Sequence, residues 1–250
     1  MEVSVVIITK NEEKNISDCL ESAFLISKDV IVADTGSTDN TVAVATKKGA
    51  NVILINWEGY GKARNEAASV GLNDWIFALD ADERITPALA DAIKKLTLIE
   101  NNILYGCRRE SFLINKKIKH GDWGRDKVYR LYNKQFTRWD LVAVHENIIS
   151  VGLKKQLIAG SILHYTMDSL ETYKLKTLHY AHLSAEKYFS QHKKATFIKR
   201  FLSPIFAFLQ TYLFRLGFLD GKEGFLIAKH SALYVWSKYD LLKKMKKIKE

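Results

Sequence analysis

Four short apolar runs, separated by helix-length stretches and each followed at once by polar residues, constrain this 250-residue chain more than any other feature. They are Val3–Ile8, Asp29–Ala33, Asn51–Ile55 and Trp75–Leu79. The first is a continuous β-branched run, the pattern of a strand covered on both faces. Between the runs the chain reads as helix. Asn11 is placed to cap a helix over 12–24, and Ser37 or Thr38 a second that stops at Gly49. A third covers Arg64–Val70 and ends near Gly71, and Thr86-Pro87 opens a fourth with threonine as cap and proline at the first helical position. Strands alternating with helices predict an α/β chain with a mostly parallel central sheet flanked by helices. Ligands of such sheets collect beyond the carboxyl ends of the strands.

The residues just past each strand are therefore the place to look for chemistry. Thr9-Lys10-Asn11-Glu12 succeeds the first strand and Asp34-Thr35-Gly36-Ser37-Thr38-Asp39 the second. Gly59–Asn65 succeeds the third and Asp80-Ala81-Asp82 the fourth. All four are expected to converge on one crevice. Two carboxylates one residue apart at a strand end suit a hard divalent cation that keeps positions open for phosphate oxygens. Such an ion neutralises charge building up on a departing diphosphate. Asp34 is placed to accept a hydrogen bond from a base N–H or a ribose hydroxyl. Lys62 and Arg64 suit phosphate, the arginine bidentately; the competing reading for both is surface charge. The run Gly59–Arg64 has arginine where the dinucleotide fingerprint needs its third glycine, and it comes after the third strand, not the first. No GxxxxGK[ST] occurs. A dinucleotide-dependent dehydrogenase and a P-loop enzyme are both disfavoured.

Taken in order, Thr9–Glu12, Asp34–Asp39, Ala63-Arg64-Asn65 and Leu79-Asp80-Ala81-Asp82-Glu83 resemble family 2 glycosyltransferases with the GT-A fold. The resemblance implies a GT-A catalytic domain over 1–165, with a nucleotide-sugar-binding half at 1–100 and an acceptor-side half at 101–165. It implies a sugar-nucleotide donor, Mg²⁺ or Mn²⁺, and inversion at the anomeric carbon. At matching positions Thr9, Asn11, Glu12 and Asp34 surround the base and ribose. Lys62, Arg64 and Asn65 face the nucleotide sugar, and Asp80 and Asp82 handle ribose and metal.

Inversion in one displacement needs a base on the face opposite the leaving diphosphate, so a later segment must supply it. Asp122, Asp126, Asp140 and Glu146 are the candidates. Glu146 is favoured because Trp123…Arg130-Leu131-Tyr132…Trp139…Val144-His145-Glu146 resembles bacterial lipopolysaccharide inner-core β-1,4-glucosyltransferases, in which a His-Glu pair holds that position. The competing reading for Glu146 is a helix cap or a surface acid, and for His145 a buried structural partner. Trp123 and Trp139 suit either sugar stacking or core packing. Ile162–Tyr165 and Ser169–Tyr173 continue the resemblance, with His164 as a possible third metal ligand. Gly124-Arg125-Asp126 departs from it by lacking an expected proline, which bears on acceptor choice. The implied reaction moves a hexose, glucose from UDP-glucose, onto a lipid-linked saccharide such as the lipopolysaccharide inner core. A polyprenyl-phosphate glycosyltransferase and a non-catalytic nucleotide-sugar-binding module are the alternatives.

Charge separates the two ends of the chain. Residues 1–150 hold 20 basic and 21 acidic side chains, whereas 151–250 hold 18 and 7. The region 166–250 therefore reads as a helical, basic extension that meets an anionic surface. Within it, Phe201–Phe214 is strongly apolar. Ser203 is placed as cap, Pro204 as first helical residue and Gly217 as stop, and Lys199, Arg200 and Arg215 flank the run. A helix over 204–216 would be about 20 Å long, short of the roughly 30 Å of a bilayer core, so it is expected to lie in the headgroup plane. A second helix over Phe225–Ile248 ends in a lysine cluster that suits anionic lipid. Without a zinc-finger spacing or RNA-binding fingerprint, nucleic acid is not the expected partner. Cys19 and Cys107 lie far apart and are expected as reduced thiols. With no secretory signal at the N-terminus, the chain is expected in the cytoplasm, peripheral on the inner face of the cytoplasmic membrane, with no span across it.

Overall fold

The computed structural model describes residues 3–141, 146–167 and 169–247. In chain order its elements begin β1 Val3–Thr9, α1 Ile16–Ala23, β2 Val30–Asp34, α2 Thr41–Lys47, β3 Asn51–Leu54, α3 Tyr60–Val70, β4 Trp75–Asp80, β5 Glu83–Ile85 and α4 Pro87–Lys94. They continue with β6 Ile103–Leu113, β7 Lys116–Lys117, β8 Lys127–Asn133, β9 Lys154–Met167, α5 Leu170–Ser190, α6 Phe197–Leu209 and α7 Lys222–Lys247. The chain forms two compact units. One holds the residues up to Arg109 with Lys127–His164, and the other holds Glu110–Asp126 with the residues from Tyr165 onward.

The sheet runs β3-β2-β1-β4-β8-β6-β9-β5, with β7 paired to β6. It is parallel across β3-β2-β1-β4 and antiparallel from β4 to β8 and from β8 to β6. One face packs Ile16, Leu20, Phe77, Leu79, Leu89 and Ile93 into a core under α1 and α4. The other packs Val6, Ile31, Ala67, Ile76 and Tyr132 under α3. Burial of both faces is why β1 is apolar at successive positions, each fully buried large side chain contributing about 1.5–3 kcal/mol. Register levels the strand tips: Thr9 pairs with Asp34, and Ile8 with Asp80.

Helix boundaries differ from expectation where polar side chains found other partners. Asn11 does not cap α1. It sits in the left-handed region (φ 56°) and its amide oxygen accepts from the Thr38 N–H at 2.8 Å, so the helix starts only at Ile16. Neither Ser37 nor Thr38 caps α2; the Asp39 carboxylate takes the Thr41 N–H at 3.0 Å instead. Helix α3 begins at Tyr60, after Gly59 at φ 107°, so Gly61 and Lys62 lie in its first turn and not in a loop. The Thr86 cap is as expected, its hydroxyl accepting from the Leu89 N–H.

In the C-terminal unit, Leu113, Ile118, Met167, Tyr173 and Ile227 form a small core against Trp123. Helix α6 starts seven residues before the expected position. The Thr196 hydroxyl caps it, Pro204 falls inside it, and it runs on into a π-helical turn over Gln210–Phe214. Ser203 is therefore not a cap. No helix among the described residues is long and apolar enough to cross a membrane.

Candidate active site

The level tips of β1, β2 and β4 bring Thr9, Asp34 and Asp80 side by side, as expected of a sheet whose function sits at its carboxyl edge. Asp34 is almost fully buried and builds its own loop. One carboxylate oxygen accepts from the Gly36 and Ser37 N–H groups at 2.9 and 2.8 Å, and the other from the Ser37 hydroxyl. Asn11 ties this loop to the one after β1. The Glu12 N–H donates to Thr41, and its carboxylate accepts from Asn15 at 2.8 Å. The Thr9 hydroxyl is buried without a hydrogen-bond partner among the described residues.

Beside these tips runs a buried chain of alternating charges. Arg64, 4% exposed, bonds Glu146 through one guanidinium nitrogen and Asp80 at 2.6 Å through the other. Arg130 reaches the second Asp80 oxygen at 2.8 Å and Glu83 at 2.8 Å. Arg109 lies 3.4 Å from the same Glu83 oxygen. Burial would push the Asp80 carboxyl up, but Arg130 and then Arg64 outweigh it and hold that carboxyl well below the usual carboxylate range. The reciprocal attraction holds the Arg130 guanidinium charged. The Arg64 guanidinium also lies over the Trp139 ring, 4.2 Å from its centroid. Both expected tryptophans are packed: Trp139 is buried, and Trp123 lies 5.5 Å from Tyr173 in the C-terminal unit.

The chain of charges borders a cavity of about 380 Å³ lined by Arg64, Asp80, Arg130, Trp139 and Glu146 among others. Its roof is held by α3. Asn65 clamps the backbone of Trp139, donating to its carbonyl at 2.9 Å and accepting from its N–H at 3.0 Å, so both ends of the amide are committed there. Gly61 lets the segment approach further: a Cβ at 61 would stand 1.9 Å from the Asp140 carbonyl oxygen and 3.7 Å from the Glu146 Cβ. Gly61→Ala is expected to push this segment outward, costing about 1–3 kcal/mol and lowering turnover through displacement of Glu146. Thermal melting and kcat measured together check this; a variant unchanged in both removes Gly61 from the site's construction.

Other expected residues are elsewhere. Lys62 is half-buried on α3 and pairs with Glu58, 3.8 Å from Glu66 on its other side, and it is not among the residues lining the cavity. Asp122 pairs with Arg215 inside the C-terminal unit. His145 lies outside the described residues. The β5–β9 ladder sets Glu83 opposite His164, and this brings the His164 ring within 3.4 Å of Asp82. Among the described residues no three His, Cys, Asp or Glu side chains converge as a ready metal cluster. Both oxygens of Asp80 are taken by arginines, which leaves Asp82 and His164 as the donor pair. One carboxylate and one imidazole fit a cation that takes its remaining ligands from a diphosphate and water. Residue types and spacing alone did not expose the roles of Glu83 and Arg130. The signal was that both sit inside the segments Asp80-Ala81-Asp82-Glu83 and Arg130-Leu131-Tyr132, as buried charges that must find partners.

The family model described as "Glycosyl transferase family 2" matches residues 4–154. An uncharacterised glycosyltransferase of Rickettsia typhi is 31% identical over 98% of this chain and 87% of its own length. The lipopolysaccharide core biosynthesis glycosyltransferase LpsC of Rhizobium meliloti is 28% identical over 94% of this chain and 89% of its own. A solved structure of the glucosyl-3-phosphoglycerate synthase of Mycobacterium tuberculosis aligns over 44% of each chain at 24% identity and a TM-score of 0.35, too partial an overlap to speak to ligands here. The α/β sheet, its level acidic strand tips and a family match spanning most of the first unit agree, and the chain belongs to glycosyl transferase family 2, with the GT-A fold.

Proposed function

We propose that the protein is an inverting, metal-dependent hexosyltransferase that moves glucose from UDP-glucose onto a lipid-linked saccharide such as the lipopolysaccharide inner core. One observation carries the reading: Arg64 ties the strand-tip carboxylate Asp80 to Glu146 across a single cavity. A donor-side acid and a base candidate therefore share one site although 66 residues separate them in sequence. The name of the Rhizobium relative supports the acceptor class.

In this reading the orphaned Thr9 hydroxyl and the Asp34 loop, with Asn11 and Glu12, receive the base and ribose. Glu146 takes the proton from the acceptor hydroxyl as that oxygen attacks the anomeric carbon. Arg64 and Asp80 hold Glu146 in place, and Arg64 offers positive charge toward the diphosphate. A divalent cation held by Asp82 and His164 supplies neutralisation of the leaving diphosphate when bound. Lys62 and Asn65 drop out of the donor contacts; Asn65 is a positioning residue for the Trp139 segment. Incubation with a panel of nucleotide sugars and metal, read as nucleoside diphosphate release, tests the reaction, and no release from any donor counts against it. Asp82→Ala is expected to abolish turnover. His164→Ala is expected to raise the Mn²⁺ concentration for half-maximal activity about tenfold or more and to weaken Mn²⁺ binding in the presence of UDP, read by calorimetry.

The C-terminal unit supports attachment to an anionic membrane surface. Phe197, Ile198, Ile205, Phe206 and Phe214 are all more than half exposed, an apolar strip that water alone does not favour. Lys193, Lys194 and Lys199 are exposed and adjoin it in sequence, whereas Arg200 bonds Asp240 at 2.5 Å and Arg215 pairs with Asp122, so those two expected headgroup contacts serve the unit itself. Replacing Phe197, Phe206 and Phe214 together by serine is expected to abolish flotation with vesicles containing anionic lipid while leaving the melting temperature within a few degrees. Retained flotation would remove the strip from the interaction.

A further inference from the structure

The cavity beside Glu146 has more positive charge than its own carboxylates use. Its lining holds Arg64, Arg109, Lys127, Arg130 and Lys155 against Asp80 and Glu146. Those two acids are matched by Arg64 and Arg130, and Arg109 leans toward Glu83. Lys127 and Lys155 are different: no carboxylate among the described residues pairs with either. Both are exposed on the cavity wall formed by the starts of β8 and β9.

Their placement is built. Tyr129, also in the lining, follows Lys127 by two residues on β8, and the Lys155 ammonium lies 5.2 Å from the centre of its ring. A cation over an aromatic face is held there by the ring quadrupole. The ring in turn rests on bare backbone. Gly106 is the register partner of Tyr129 on β6, and a Cβ there would stand 2.8 Å from the ring. A side chain at 106 would displace the tyrosine ring over which Lys155 lies. Two lysines without a carboxylate partner leave this wall net positive, which favours negative charge.

We propose that this wall is an anion subsite for the acceptor: the saccharide that receives the hexose carries a phosphate or carboxylate next to its reacting ring, and Lys127 and Lys155 bind it. The proposal rests on the glycosyl-transfer reading and names its acceptor class. It places the charge of the acceptor at Lys127 and Lys155, in the cavity that Glu146 also lines.

Calorimetric titration of the full chain, with saturating UDP present, tests it with glucose 6-phosphate, glucuronate and glucose as probes. Glucose 6-phosphate or glucuronate is expected to bind and glucose not to bind over the same concentration range. The stronger of the two anions identifies the phosphate or the carboxylate source. Lys127→Ala and Lys155→Ala are each expected to weaken that binding about tenfold, Lys155→Arg to retain most of it, and higher salt to weaken it. Binding of neutral glucose equal to that of the anions, or insensitivity to both lysine variants, overturns the proposal. Binding seen only without UDP also overturns it, by moving the lysines to the donor side. UDP release from UDP-glucose by the unmodified protein is measured separately. Anion binding without any UDP release would sink the transfer reading and leave the anion subsite standing, whereas UDP release without anion selectivity would do the reverse.

Discussion

Glu146→Gln is expected to lower kcat by about a hundred- to ten-thousand-fold while leaving the KM for UDP-glucose within about twofold. The change keeps shape and keeps an oxygen that can accept from Arg64, so the Glu146–Arg64–Asp80 chain is preserved in outline. What it removes is the capacity to take a proton from the acceptor hydroxyl. A group making only ground-state contacts would shift KM instead, so the split between the two constants is the diagnostic. Asp122→Asn is the matched control: Asp122 pairs with Arg215 in the C-terminal unit, and its loss is expected to change kcat less than twofold. Steady-state release of UDP in the presence of acceptor measures both. Glu146→Gln retaining a tenth of wild-type turnover would remove Glu146 from the base role.

The largest effect on stability is expected from Arg130→Met. Arg130 is buried and bonds both Asp80 and Glu83, the latter fully inaccessible to solvent. Removing the guanidinium leaves the fully buried Glu83 carboxylate and the half-buried Asp80 carboxylate without their shared partner, with Arg64 and the more distant Arg109 as partial compensation. Breaking a buried ion pair from one side costs about 3–5 kcal/mol, because the remaining charge is uncompensated. The cost carries a pH signature. In the wild type the Asp80 carboxyl is depressed by the arginines. Its contribution is complete above the unfolded carboxylate value of about 3.9 and is lost as pH falls below it. In the variant, burial and the neighbouring carboxylate now favour the protonated form, so the deficit should be greatest near neutral pH and shrink as pH drops toward about 5. Urea midpoints at pH 7.5 and pH 5 read this directly. An equal deficit at both values would mean that lost packing, and not charge, is the cause.

The acidic tips of the parallel sheet were legible from residue order. A β-branched run can be satisfied only by burial on both faces, and a polar segment after each such run must surface at one edge. The Thr86-Pro87 helix start was legible for the same reason, because its cap uses neighbours within three residues. The pairing of charges was not. Arg64 reaches Glu146 across 82 residues, and Arg130 reaches Glu83 across 47; a sequence shows that a charge is present but not which distant charge will neutralise it.

Local patterns misplaced Asn11 and Ser203 as helix caps as well, since amides and hydroxyls bond whatever the fold brings near. Asn65 shows the same reach across the fold, its amide bonding both the N–H and the carbonyl of Trp139. Sequence by itself determined the α/β architecture, the family, and the edge of the sheet where chemistry collects, because those depend on periodicity and short-range order. Only the tertiary structure decided which acids are neutralised, that Asp82 and not Asp80 keeps its carboxylate beside His164, and that Glu146 lines the same cavity as Asp80. Coulomb attraction and hydrogen bonding act over a few ångströms of space, and the chain places residues that close together without regard to their separation along it.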